Sequence, residues 1–204
     1  MIPQPIVVKV GGSLFDMLDL RPRLIQFLSG LRCREVALIP GGGPIVDPIR
    51  DLDRWHGLGE ETSHWLALRA LSLNAHLLAE LLEGQSAAVS GALEQWPELW
   101  RRERIPILDA CPFALADESN LDRLPHSWNV TSDSIAARVA RLLGARRLVL
   151  LKSMGATDGA SSVDLVRQGI VDQFFTQALG QSFSGANCHV EVVNFRQWSP
   201  PRGK

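Results

Sequence analysis

The chain has little net charge: 21 Lys and Arg stand against 22 Asp and Glu, a formal charge of −1 over 204 residues. Such a balance creates no long-range field, which argues against a nucleic-acid backbone or an anionic membrane as partner and leaves any phosphate binding to local groups. Cysteine is scarce. Cys33, Cys111 and Cys188 are far apart, odd in number and without metal-ligand spacing. Each is therefore expected to be a reduced thiol in a reducing compartment, serving as a small buried hydrophobe. No apolar run approaches the length of a membrane span, and the amino terminus enters a strand-like run with no charged leader and cleavage site. A cytoplasmic location is the expectation. Internal repeats, heptads and low-complexity tracts are absent too. What remains is ordinary for a globular protein, 46% apolar and 21% charged, of a size that suits a single domain with a substantial core. Residues 199–204 read as a frayed tail.

The run Ile6-Val7-Val8-Lys9-Val10 is short and β-branched and is broken by Gly11-Gly12-Ser13, the pattern of a buried strand ending in a tight turn. A helix is expected over 16–30. The pattern returns at Val36-Ala37-Leu38-Ile39, followed by Pro40-Gly41-Gly42-Gly43 and a helix through Ile45, Ile49 and Leu52. Strand, glycine turn and helix, twice over, are the grammar of a parallel sheet covered by helices. Further strands are expected at 87–89, 105–108, 148–151 and 190–193, and a helix over 134–143 with Gly144 placed to end it. The segment 61–83 reads as a long helix with two apolar stripes. One carries Leu68, Leu71, Ala75 and Leu78; the other carries Ala70, Leu73, Leu77 and Leu81. A helix apolar on two faces needs two partners. The second is either another copy of the chain, giving a homodimer or higher homo-oligomer, or a covering loop. Between Pro112 and Trp128 the turn-rich, polar composition predicts a loop that covers substrate.

Four segments carry residues suited to anions. A lysine on a buried strand is costly without an anion, and the glycines behind Lys9 let backbone N–H groups approach a phosphate. The plain alternative is that Lys9 points off an edge strand and Gly11 and Gly12 only turn the chain. Gly41, Gly42 and Gly43 forfeit conformational entropy three times, which a phosphate at the following helix amino terminus would explain. Neither the P-loop nor the dinucleotide glycine pattern is present. In Trp128-Asn129-Val130-Thr131-Ser132-Asp133-Ser134, Asp133 either caps the next helix or holds lysines around phosphoryl groups. Lys152, with Ser153 after it, is either a second phosphate lysine at a strand end or a solvated one.

These motifs, Lys9-Val10-Gly11-Gly12-Ser13, Pro40-Gly41-Gly42-Gly43 and Thr131-Ser132-Asp133-Ser134, resemble in order and spacing those of the amino acid kinase family. The resemblance runs from residue 6 to about 195 and implies a three-layer αβα sandwich with an open, mainly parallel sheet. It further implies ATP and Mg2+ as cofactors and a small-molecule phosphate acceptor as partner. By the same resemblance Lys9, Asp133 and Lys152 are the catalytic candidates. Lys9, Gly11, Gly12, Ser13, Lys152, Ser153 and Asp158 are the ATP candidates. The acceptor side falls to Gly41, Gly42, Gly43, Asp47, Arg50, Asn129, Thr131 and Ser132. The family's glycine-methionine-spaced-lysine motif is missing between Gly169 and His189, and Lys152 stands as its replacement.

The string Leu124 to Ala136 is similar to that of one branch of the family, the kinases of methanofuran biosynthesis, which phosphorylate an aminomethylfuran methyl phosphate to the diphosphate. That similarity implies direct in-line transfer to an anionic phosphate monoester with no general base. Arg50 would grip the acceptor phosphate and Asp47 or Asn129 would face its amine. A carboxylate or nucleotide acceptor, and a nucleotide-binding sensor or storage protein without transfer activity, are the alternatives.

Overall fold

Short β-branched runs bounded by glycine or polar turns become strands when helices cover both of their faces. In the structure, a computed structural model that describes residues 4–157, 159–180 and 188–200, such runs form one sheet. Its strands are β1 (Ile6–Val10), β2 (Val36–Pro40), β3 (Ala87–Ser90), β4 (Ile105–Leu108), β5 (Arg147–Lys152) and β6 (His189–Asn194). They lie in the order β3-β4-β2-β1-β5-β6, and every pairing is parallel. The helices are α1 (Leu20–Gly30), α2 (Asp47–His56), α3 (Gly59–Leu81), α4 (Trp96–Arg101), α5 (Ala110–Asp117), α6 (Ser132–Leu142), α7 (Ser162–Arg167) and α8 (Phe175–Leu179).

Strand alternation divides the core in two. Val7, Leu148 and Leu150 pack with Ile135, Ala136 and Val139 of α6, whereas Val8, Val10, Val149 and Leu151 pack with Leu20, Leu24 and Phe27 of α1. Successive side chains point to opposite faces, so Lys9 shares the face of Val7 and Lys152 that of Leu150. Both lysines are thereby aimed at the α6 side. The chain runs from β1 to β2, on to β3 at the sheet edge and back to β4 between them, then crosses to β5 on the other flank of β1. This reversal puts a topological switch point between the carboxyl ends of β1 and β5, the place where open parallel sheets bind ligands.

All six expected strands form. Gly144 sits at φ +60 just beyond α6, the left-handed position in which glycine ends a helix. The structure departs from the sequence reading in several places. The first helix begins at Leu20, because Gly12–Leu14 form a separate 3₁₀ turn. The expected loop over 112–128 begins as helix α5, because Pro112 falls in the first turn, where its missing N–H is harmless, and Ala110 and Phe113 have a core to face. Helices α4, α7 and α8 have only five or six residues each, too few for periodicity to show. The three cysteines are free but half-buried, not fully buried as expected, and burial pushes the Cys188 thiol up to about 11. Of the expected tail, 201–204 lie outside the described residues.

Candidate active site

Three ionised side chains meet at the switch point. Lys9 Nζ is 2.8 Å from Asp133 Oδ1, and Lys152 Nζ donates to Asp133 Oδ2 at 2.6 Å and to the Ile170 carbonyl at 2.7 Å. Lys9 is 4% exposed and Asp133 5%, so two ammoniums share one carboxylate almost out of water. Burial opposes the Asp133 charge, but Lys9 and then Lys152 outweigh it and hold the carboxyl below the ordinary carboxylate range. Burial, then repulsion from Lys9, lowers Lys152, with Asp133 in opposition. The cluster is left with one positive charge lacking a counter-charge within it, an arrangement that favours an anion at this spot. Lys9 lies on a central strand, so it does not point off an edge. Nor does Asp133 cap α6: the cap is Thr131, whose Oγ1 accepts from the Asp133 backbone N–H.

The two glycine turns follow neighbouring strands and press against each other. A Cβ on Gly12 would lie 2.0 Å from Gly43 N, one on Gly41 2.4 Å from Gly12 N, and one on Gly43 2.2 Å from the Gly12 carbonyl oxygen. Gly43 also has φ +55. Backbone packing against backbone thus requires glycine at Gly12, Gly41 and Gly43 before any ligand is considered. Asn74, buried on α3, donates to the Gly41 and Gly42 carbonyls at 2.7 and 2.8 Å and ties the second turn to that helix. Sequence reasoning missed Asn74; its signal was a polar residue within an apolar stripe.

Beside the lysines opens a cavity of about 200 Å³ whose lining includes Lys9, Gly12, Gly42, Gly43, Arg50 and His64. Thr131, Ser132, Asp133 and Trp128 complete its polar wall, and Val46, Leu68, Leu71 and Ile135 its apolar one. Arg50 stands over the Trp128 ring, 5.0 Å from its centroid, and pairs with Asp47 at 2.8 Å. Asp47, Asn129, Ser13 and Ser153 are exposed and outside this lining; Gly11 and Gly41 are buried and outside it, and Lys152 reaches Asp133 from behind without lining the cavity itself. Asp158 lies outside the described residues.

The cavity's roof is a strap from Glu118 to Thr131. Three consecutive residues pin it to the α2–α3 corner: His126 to Glu61 at 2.5 Å, Ser127 to Glu60 at 2.8 Å, and Trp128 Nε1 to Asp53 at 2.8 Å. At the strap's other end Arg138, 1% exposed, grips Asp117 through two nitrogens and reaches Asp122 at 2.8 Å. Asp172 accepts from the backbone and hydroxyl of both Thr131 and Ser134 at the start of α6. Those hydroxyls are therefore engaged within the fold, and Asp172 was not legible because it comes from a turn far along the chain.

The chain belongs to the amino acid kinase family, whose profile matches residues 4–156. It is therefore a phosphotransferase, a kinase acting on a small-molecule acceptor. Over 169 residues it is 29% identical to the (5-(aminomethyl)furan-3-yl)methyl phosphate kinase of Methanocaldococcus jannaschii, covering 82% of this chain and 68% of that protein. It is 31% identical to the uridylate kinase of Pyrobaculum arsenaticum over 102 residues, 50% of this chain and 46% of the relative. The crystal structure of UMP kinase from Ureaplasma parvum shares the fold, with a TM-score of 0.64 at 14% identity over 97% of this chain and 91% of that one.

Proposed function

We propose that the protein transfers the γ-phosphoryl group of ATP to a small phosphate monoester bearing a cationic aminomethyl arm, an aminomethylfuran methyl phosphate or a close relative. The observation that carries this reading is the buried Lys9–Asp133–Lys152 cluster, positively charged, whose Lys9 and Asp133 line one end of a partly open cavity beside two glycine turns. Phosphoryl transfer needs positioning and charge neutralisation rather than a strong base when the acceptor is already ionised. A phosphate oxygen of the acceptor would form the new bond to the γ-phosphorus while the β–γ bridging bond breaks and ADP leaves. Lys9 and Lys152 would face the charge spread over the moving group, with Asp133 holding both in place. Lys152 would supply the second cation that other family members draw from a later lysine. Mg2+ would be carried on the nucleotide phosphates and keep much of its water, which asks for no dedicated cage of protein carboxylates.

The Methanocaldococcus jannaschii relative and the Leu124–Ala136 string favour the aminomethyl acceptor. Cavity size favours it too: about 200 Å³ falls below the roughly 300–1,000 Å³ of drug-sized ligand sites, which suits a compact acceptor better than a nucleotide. The test is turnover with ATP and Mg2+ on a panel of aminomethylfuran methyl phosphate, UMP, aspartate and acetylglutamate. The aminomethyl ester is expected to have the highest kcat/KM. Faster turnover of UMP or of a carboxylate would overturn the acceptor, and ATP binding without transfer to any member would overturn the kinase reading of the site.

A further inference from the structure

The cavity described above is positive at its sheet end, and an ammonium-bearing acceptor needs a hydrogen-bond acceptor at the other. Few lining groups can serve. Asp133 is taken by two lysines, Thr131 by Asp172 and by the Asp133 N–H, and Ser127 by Glu60 and the Asn129 N–H. One face of Trp128 carries Arg50. His64 is different. It lines the cavity from α3, its ring stacks on His126 with centroids 4.4 Å apart, and no hydrogen bond among the described residues shifts its titration.

Resting on the acceptor reading above, we infer that His64 receives a hydrogen bond from the acceptor's ammonium and is the residue that selects the aminomethyl arm. A neutral imidazole always offers one lone pair, whereas a protonated one offers none and would repel the arm. The surroundings keep it neutral. Burial, then the nearby His126 charge, brings His64 down to about 4, with Glu61 and Glu118 in partial opposition. His126 keeps its proton because Nδ1 stands 2.5 Å from Glu61 and Nε2 2.8 Å from Glu118. Burial by itself would lower His126, but the two carboxylates outweigh it and raise it. Arg123 faces Glu118 at 3.4 Å, so His126 and Arg123 together balance Glu61 and Glu118. The roof thus bears no net charge from these four groups, in contrast to the lysine end. A second cavity of about 20 Å³, room for one water, lies behind His64, next to His126 and Glu118. His126 is a positioning residue: its charge guards the lone pair of its neighbour.

The experiment compares aminomethylfuran methyl phosphate with the analogue carrying methyl in place of aminomethyl. Wild type should prefer the amine; equal kcat/KM for the two would overturn the acceptor reading, and this inference with it, before any variant is made. Given that preference, His64→Leu should reduce it by about 10- to 100-fold, the scale of one hydrogen bond to a charged group, while turnover of the methyl analogue stays nearly constant. His64→Gln, which keeps an acceptor oxygen, should retain part of it. A parallel fall for both substrates, or an unchanged ratio, would show that His64 only packs the roof. Should His64→Leu not fold, nitrogen-15 spectra of histidine-labelled wild type decide: the amine alone should move the His64 ring resonances, and equal shifts with both esters would overturn the assignment. His126→Gln should raise the acidic limb of kcat/KM for the amine substrate and leave that of the methyl analogue in place.

Discussion

At the scale of single residues, Lys9 shows how a local pattern and a tertiary partner divide the explanation. Strand alternation decides which face it takes, while the tertiary fold sets Asp133 2.8 Å away as the counter-charge that its burial calls for. Lys9→Met should fold, because Asp133 keeps Lys152, and should lose transfer by about 10²–10³-fold, the scale of one electrostatic contact to a transition state. Circular dichroism beside a turnover assay checks both halves; normal turnover in a folded variant would remove the lysine from the chemistry. The glycines are a separate case. Gly12→Ala sets a Cβ 2.0 Å from backbone that cannot rotate away, so it should destabilise the fold and abolish ligand binding together. Gly30→Ala, with nothing within 4 Å of the new atom, should change stability by no more than about 1 kcal/mol. Denaturant midpoints for the two variants test the contrast, and equal midpoints would contradict the interlocked-turn account.

At the scale of elements, the strap over the cavity is fastened in two chemically different ways. Its Arg138 end is held by a guanidinium that stays charged at any accessible pH. Its other end depends on His126, which titrates. The folded pKa of His126 is raised above its ordinary 6.5 by the hydrogen bonds to Glu61 and Glu118, so this fastening is complete below 6.5 and is lost as pH rises through the folded value. Hydrogen exchange at residues 126–128, corrected for intrinsic rates, should lose protection over that rise in wild type. In His126→Gln protection should be low and independent of pH. Wild-type protection that holds through the alkaline range would mean the Trp128–Asp53 and Ser127–Glu60 bonds suffice to close the strap.

At the scale of the whole molecule, α3 links the site to the surface. Its inner stripe, Leu68, Leu71, Ala75 and Leu78, is buried, while Leu73 is 59% and Leu77 40% exposed one turn apart on the outer stripe. We propose that this outer stripe is a contact between copies of the chain, since two exposed leucines one turn apart give a second copy of α3 an apolar strip to pack on. Sedimentation of wild type should give a dimer or larger species, and Leu73→Asp with Leu77→Asp a folded monomer. A monomeric wild type would return the stripe to ordinary surface.

Sequence alone determined the sheet. Six apolar runs, each closed by glycine or polar turns, leave a strand little choice once both faces must be covered, so the strands and the parallel layout were legible. The glycine turns and Lys9 were legible too, because costly residue types in a strand-to-helix turn have few uses. Short helices such as α5 were not, since eight residues carry too little periodicity to outvote a proline. Only the tertiary structure decided which residues meet. Lys152 comes to Asp133 from 19 positions away, Asp172 to Ser134 from 38, and His126 to Glu61 from 65. Such pairings depend on strand order and helix packing, which bring distant segments together at one end of the sheet; periodicity reports only a residue's own face and says nothing of what will stand opposite it.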